Sequence, residues 1–324
     1  MNIFKTMLGA GIALAIVAAI PSYAEAKDCP EDPVRVTHII WTESSNAAWA
    51  PMIKGVEEAA EYTCADVDIQ YGDADPEKQN SIMQTAIANE VDAVTGSLFV
   101  SDAFIDSIRQ MTEAGILFIN NNINDPVANA EAMHPTFVGQ DLELAGYLMG
   151  KAMIKKYGME NGDHIFMPVE YPEAAYAQLR HDGVLRAVAE AGLEVTTERL
   201  GTTASFENAL PVVTQYLIGH PETDFVISLG GTPGGIAAQA IEEAGLENIP
   251  NGTFDINTRV LRAIKEGKTF GTVDQQFYIQ GFMPVLWAHL WKLYGIQPST
   301  YYAGNAIVTQ DNVQYAEEWS GEYR

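Results

Sequence analysis

Two stretches decide the fold: KGVEEAAEYTCADVDI at 54–69 and DGVLRAVAEAGLEVTT at 182–197. Both carry glycine in second place, keep apolar residues at helical spacing, and then pass into an alternating, strand-prone run. A hydrophobic period near 3.6 giving way to one of 2 marks a helix feeding a strand. The two stretches share helix phase, glycine position and entry into the next strand, so the chain reads as two lobes of one βα design.

Short apolar runs and longer helical stretches alternate outward from both, the pattern of parallel sheets covered by helices. The first series predicts strands at 34–41, 67–71, 93–98, 116–120 and 136–138, with helices at 50–62, 76–89, 102–114 and 142–157. Asp75 and Ser101 stand where N-caps are wanted, and Gly115 and Gly158 where helices stop. The second series predicts strands at 164–169, 194–200, 225–229, 253–255 and 272–275. Its helices fall at 174–191, 207–219, 235–244, 259–266 and 280–294. The expected fold is α/β, two doubly wound parallel-sheet lobes.

Lys5, an apolar run over 7–20 and the small-residue exit Tyr23-Ala24-Glu25-Ala26 have the layout of a secretory signal peptide covering 1–26. No later stretch is long and apolar enough to span a bilayer, so no stable membrane insertion is expected. A net charge of −25 and a pI near 4.4 speak against nucleic acid as a partner, because phosphate neutralisation needs clustered Lys and Arg. Cys29 and Cys64 each precede a strand-like run. If those strands pair in parallel their entry ends are neighbours, and in an exported protein a disulfide is expected.

In open α/β sheets, ligands gather beyond the carboxyl ends of the strands. This rule selects 41–49, 96–101, 120–125, 169–180, 229–235, 255–258 and 274–277, all rich in polar, aromatic or glycine residues. Nucleophilic catalysis finds no G-x-S-x-G elbow, and the six histidines show no metal-ligand spacing. The run Gly230-Gly231-Thr232-Pro233-Gly234-Gly235 lacks the ending of a P-loop. It reads as a tight turn, either one that lets backbone approach a ligand or plain turn geometry. Arg180 and Asp255 lie near strand exits and together suit a vicinal diol, although a structural salt bridge needs the same two residues.

The segments NAAWAPMIKGVEEAA, GILFINNNINDP, FVGQDLELAGYLMG, RHDGVLRAVAEAG and TFDINTRVLRAIKEGKTFGTVDQQ, with the repeat above, resemble the type I periplasmic sugar-binding proteins of ABC importers. The likeness, to the ribose-, galactose- and autoinducer-2-binding group, runs from about 34 to 309. It implies a three-crossing hinge. The first lobe is expected to hold 27–139 and 140–163 with part of 276–297, and the second 164–275 with 298–324.

By the same resemblance, Asn46 and Trp49 match a first-loop amide and a sugar-stacking aromatic, and Ser97 a polar contact after the third strand. Asn122 matches the Asp or Asn after the fourth strand, Arg180 the cleft arginine, Asp255 its carboxylate, and Gln275 the amide at a lobe crossover. Ala48 stands where a second aromatic is common, Gly230 where the group offers Asn or Asp, and Asn120–Asn122 lack an Asp-Arg pair. The pocket should therefore be roomier or differently polar than a ribose site, with Trp41, Glu43, Glu170 and Tyr176 at strand exits able to compensate.

The resemblance implies a monomeric periplasmic binder of a monosaccharide or sugar-like polyol, without enzymatic activity or cofactor, docking on an ABC permease. The alternatives are a subunit presenting its ligand to a membrane sensor, or a binder of a non-sugar solute.

Overall fold

The computed structural model describes residues 29–100, 102–131, 135–246 and 249–324. The expected signal peptide at 1–26 and the Ser101 cap lie outside them. Asp32–Arg324 form one compact unit. Both cysteines are disulfide-bonded.

In chain order the first half runs β1 (Arg35–Ile40), α1 (Ala50–Thr63), β2 (Asp66–Tyr71), α2 (Pro76–Ala88), β3 (Ala93–Leu98), α3 (Ile105–Glu113), β4 (Leu117–Asn124), α4 (Pro126–Glu131) and β5 (Thr136–Gly139). After α5 (Leu142–Tyr157) the pattern repeats: β6 (His164–Val169), α6 (Ala175–Glu190), β7 (Thr196–Gly201), α7 (Phe206–Gly219), β8 (Phe225–Ile227), α8 (Gly231–Glu243), β9 (Asn251–Phe254), α9 (Thr258–Lys265) and β10 (Gly271–Asp274). The chain closes with α10 (Phe277–Tyr294), β11 (Tyr301–Tyr302), β12 (Ala306–Thr309) and α11 (Val313–Glu317). One sheet has the order β11-β5-β4-β3-β1-β2 and the other β12-β10-β9-β8-β6-β7. Every pairing is parallel except that of β12 with β10. Each sheet is doubly wound, and its central strands are buried on both faces, as helices on both sides require.

The glycines of the repeat have a shared cause. A Cβ on Gly55 of α1 would collide with the Tyr278 carbonyl of α10, and one on Gly183 of α6 with the Glu143 carbonyl of α5. Facing glycines reciprocate: Gly281 of α10 lies against the Met52 carbonyl and Gly146 of α5 against that of Arg180. In both lobes the first helix is crossed closely by a helix that has just arrived from the other lobe.

That crossing corrects the lobe boundaries at 140–163. The chain leaves the first sheet at Gly139, and α5 packs on α6, β9 and β10 of the second. Likewise α10 leaves β10 but packs on α1, β4 and β5. Segment 298–324 is also shared, because β11 joins the first sheet while β12 and α11 join the second. The crossings lie at Gln140, at Gln275–Gln276, and between β11 and β12, so the hinge has three strands as expected.

Within the glycine run, Gly230 is an extended N-cap and 231–235 are helical, not a loop: α8 begins at Gly231, four residues ahead of the expected start. Pro233 is tolerated in a first turn, where its missing N–H has no helical partner to lose. Gly234 and Gly235 let this turn press against Thr253 and the Phe206 ring, which a Cβ would strike.

Candidate ligand-binding cleft

Strand exits and helix starts of both lobes converge on one cavity of about 990 Å³. From the first lobe come Trp41 and Glu43 after β1, Asn46 and Trp49 around the short 3-10 turn Ala47–Trp49, and Asn122 of β4. Glu170 and Tyr171 after β6, Tyr176 and Arg180 of α6, Asp255 after β9 and Gln275 after β10 enclose it from the other side.

Asp255 is the polar centre. Arg180 donates Nη2–H to its Oδ1 at 2.9 Å and Nη1–H to its Oδ2 at 3.3 Å, and Gln275 Nε2 donates to Oδ1. The remaining Nη bonds of Arg180 go to the Leu229 carbonyl at 2.7 Å and Gln140 Oε1 at 3.2 Å. Its guanidinium lies 4.5 Å from the centroid of Phe254. With its side chain 2% exposed against 17% for Asp255, Arg180 holds the carboxylate from behind. Gln140 extends the network by donating to the Gly304 carbonyl at 2.7 Å, so residues from all three crossings are tied to the site.

Asn122 sits at φ 60°, a conformation Asn tolerates better than most residues. Its Nδ2 donates to Gln275 Oε1 and Gln280 Oε1, both at 3.0 Å, and its Oδ1 accepts from Trp41 Nε1 at 3.1 Å. Both amide donors are committed, so Asn122 positions Trp41 and Gln275. Trp49 donates to Thr42 Oγ1 at 2.6 Å and meets Phe277 edge-on at 5.0 Å. Asn46 Oδ1 accepts from Ala48 N at 3.1 Å and so caps the turn.

Glu170 fills space that a side chain at 230 would need: a Cβ on Gly230 would overlap its carboxylate. Its Oε1 accepts from Thr232 N at 2.7 Å at the start of α8, and its Oε2 from the Tyr176 hydroxyl at 3.0 Å. Burial pushes the Glu170 carboxyl above its ordinary range, the Thr232 amide opposes this, and the charge of Asp255 adds to it. Tyr176 is raised by its own burial and by Glu170.

The lobes touch across the cleft. Tyr171 donates its hydroxyl to Glu43 at 3.2 Å, its ring meets Trp41 at 5.1 Å, and Ala175 N donates to the Phe99 carbonyl at 3.1 Å. These contacts join the lobes at one edge of a polar and aromatic cavity.

The sequence model of the periplasmic binding protein domain matches residues 37–290. The chain belongs to the periplasmic binding protein family. It is similar to the xylose/arabinose-binding protein XylF of Sulfolobus acidocaldarius, 24% identical over 88% of this chain and 73% of that protein. Among solved structures, a carbohydrate transporter from Acidothermus cellulolyticus 11B in complex with myo-inositol superposes with a TM-score of 0.79 at 23% identity, covering 90% of this chain and 99% of that one. A chain of the XylFII–LytSN complex superposes with a TM-score of 0.77 at 17% identity, covering 87% and 100%.

Within this periplasmic binding protein, Trp41, Glu43, Asn46, Trp49, Asn122, Tyr176, Arg180, Asp255 and Gln275 all line the cavity. Ser97 and Gly230 do not. Ser97 is buried in the sheet, with its hydroxyl donated to Asn121 Oδ1 at 3.0 Å. Gly230 contributes room for Glu170. The segment after β7, Thr202–Glu207, also lines the cavity, as do Ser320, Gly321 and Arg324. The loop after β7 could have been found by applying the strand-exit rule there too, whereas nothing in the terminal sequence announces its return to the cleft. No group of His, Cys, Asp or Glu able to hold a metal ion occurs among the described residues.

Proposed function

We propose that the chain is the exported solute receptor of an ABC importer, and that its ligand is a monosaccharide or cyclic polyol held between the lobes. The observation that supports this reading is Asp255, fixed by Arg180 and Gln275 in a cavity that Trp41 and Trp49 also line. A carboxylate with an oriented amide serves neighbouring hydroxyls, and an aromatic face suits the C–H side of a sugar ring. Similarity to sugar-binding relatives, one with myo-inositol bound, agrees with it. Asn46, Trp49, Asp255 and Gln275 would contact the ligand, and Arg180 and Asn122 would position the groups that do. The protein would act as a periplasmic monomer, its signal peptide removed, delivering the closed form to a permease without chemical turnover.

A second reading, presentation of the bound solute to another protein, has the likeness to the XylFII chain of the XylFII–LytSN complex in its favour. Ligand identity comes first. Thermal melting over pentoses, hexoses and inositols should pick out one group, because a ligand at 100 times its Kd adds about 2.7 kcal/mol of stability. Calorimetry should then give one site per chain; no stabilisation by any sugar or polyol would refute the reading.

A further inference from the structure

The cavity holds more carboxylate than a neutral sugar needs. Asp255 is matched by Arg180. Neither Glu43 nor Glu170 takes part in an ion pair among the described residues. Glu43 accepts from Tyr171, and Glu170 from Tyr176 and Thr232. A carboxylate offers about four acceptor positions, so these donors leave both groups with lone pairs to spare.

Aromatic faces stand around the same two groups. Tyr171 and Tyr176 have ring centroids 5.1 and 6.3 Å from that of Trp41, and their hydroxyls point at Glu43 and Glu170 respectively. The start of α8 offsets part of the Glu170 charge through its dipole and the Thr232 amide. Aromatic rings and carboxylates lining one cavity favour a cation over a neutral group. The carboxylate of Glu170 is also built in, since both oxygens are held and only glycine at 230 leaves space for it. The rim adds Glu207, Arg259, whose guanidinium lies 4.7 Å over the Phe206 ring, and Arg324, whose charge is taken up by Asp274.

We propose that the cleft selects a hydroxylated ring carrying a protonated nitrogen, an amino sugar or aminocyclitol, with Glu170 and Glu43 facing the ammonium group and Trp41, Tyr171 and Tyr176 around it. This rests on the sugar reading above and narrows it. Asp255 and Gln275 serve the hydroxyls, while the ammonium group brings three donors and the missing positive charge.

The test compares amines with their hydroxyl parents by calorimetry at pH 7: D-glucosamine with D-glucose, D-galactosamine with D-galactose, and scyllo-inosamine with scyllo-inositol. In at least one pair the amine should bind about tenfold more tightly, the scale of one charge-assisted contact. Glu170→Gln should bring that ratio down towards unity. A parent that binds while no amine exceeds its partner would overturn the proposal and leave the sugar reading standing. Binding by no member of any pair would overturn both. An unchanged ratio in Glu170→Gln would remove Glu170 from the recognition of nitrogen. Should that variant fail to fold, the wild-type ratios and Glu43→Gln decide the matter.

Discussion

Tyr171 reaches across the cleft from the second lobe and donates its hydroxyl to Glu43 of the first at 3.2 Å. Burial, followed by the charge of Glu43, holds the phenol above its ordinary range, so it remains a donor at neutral pH. Because this bond joins the lobes directly, it stabilises the closed form with or without a solute. Tyr171→Phe keeps the ring against Trp41 and removes only the bond. A hydrogen bond to a charged group contributes about 1.5 kcal/mol net at a partly exposed site, so ligand affinity should fall roughly tenfold. Stopped-flow kinetics should place the change in dissociation, and small-angle scattering should show a more open ligand-free protein. An unchanged dissociation rate would count against a closing role.

Arg180 carries a different expectation from that of a surface ligand contact. Its side chain is enclosed, and it donates to Leu229, Gln140 and Asp255. Removing one partner of a buried ion pair leaves an uncompensated charge and costs about 3–5 kcal/mol. Arg180→Ala should therefore lower the unfolding free energy in urea by several kcal/mol as well as abolish binding. Asp255→Asn, which keeps the shape, should mainly weaken binding. Equal stability of Arg180→Ala and wild type would show that the pair is not holding the site together.

The sequence exposed the sheets well and the helix exchange poorly, for a physical reason. Hydrophobic period reports what an element is and which face it buries, so β3, β6 and α5 fall where expected. It does not report which sheet a helix packs on. The turn at Gln140 reads like any strand-to-helix connection, and the small faces of Gly146 and Gly183 acquire meaning only once their helices are seen to cross. The cleft was legible through its strand exits, which supply Trp41, Asp255 and Gln275. The exchange of a side chain at 230 for the carboxylate of Glu170 involves residues sixty positions apart, beyond the ends of different strands, and no local pattern encodes it.

Arg324 brings the last residues of the sequence back to the hinge. Its Nη2 lies 2.7 Å and its Nε 3.0 Å from Asp274 Oδ2, at the end of β10 beside Gln275. Its neighbours grip the first lobe: the Tyr323 hydroxyl donates to Glu58 at 3.0 Å, and Lys54 pairs with Glu322 at 3.1 Å. Asp274 is 4% exposed and Arg324 about a quarter, so solvent screens part of the pair. Arg324→Ala should cost roughly 2–3 kcal/mol in urea denaturation, below the full range for a buried pair. Adding Asp274→Asn should return part of this loss. An additive double variant would mean that the two groups do not interact.

His38 sets the acid limit of the fold. It lies in β1 with no exposed surface, is hydrogen-bonded through Nδ1 to Thr95 Oγ1 at 2.6 Å, and has Nε2 buried without a partner among the described residues. Burial lowers its pKa from 6.5 to about 3. Between those values the unfolded chain binds a proton that the folded protein refuses, so stability is complete above 6.5 and is lost progressively as pH falls towards 3. At 1.36 kcal/mol per pH unit the loss approaches about 4–5 kcal/mol. His38→Gln can still bond Thr95 but cannot titrate. Urea denaturation between pH 7 and 4 should show a flatter stability profile for the variant than for wild type. Parallel profiles would mean that carboxylates alone govern acid unfolding.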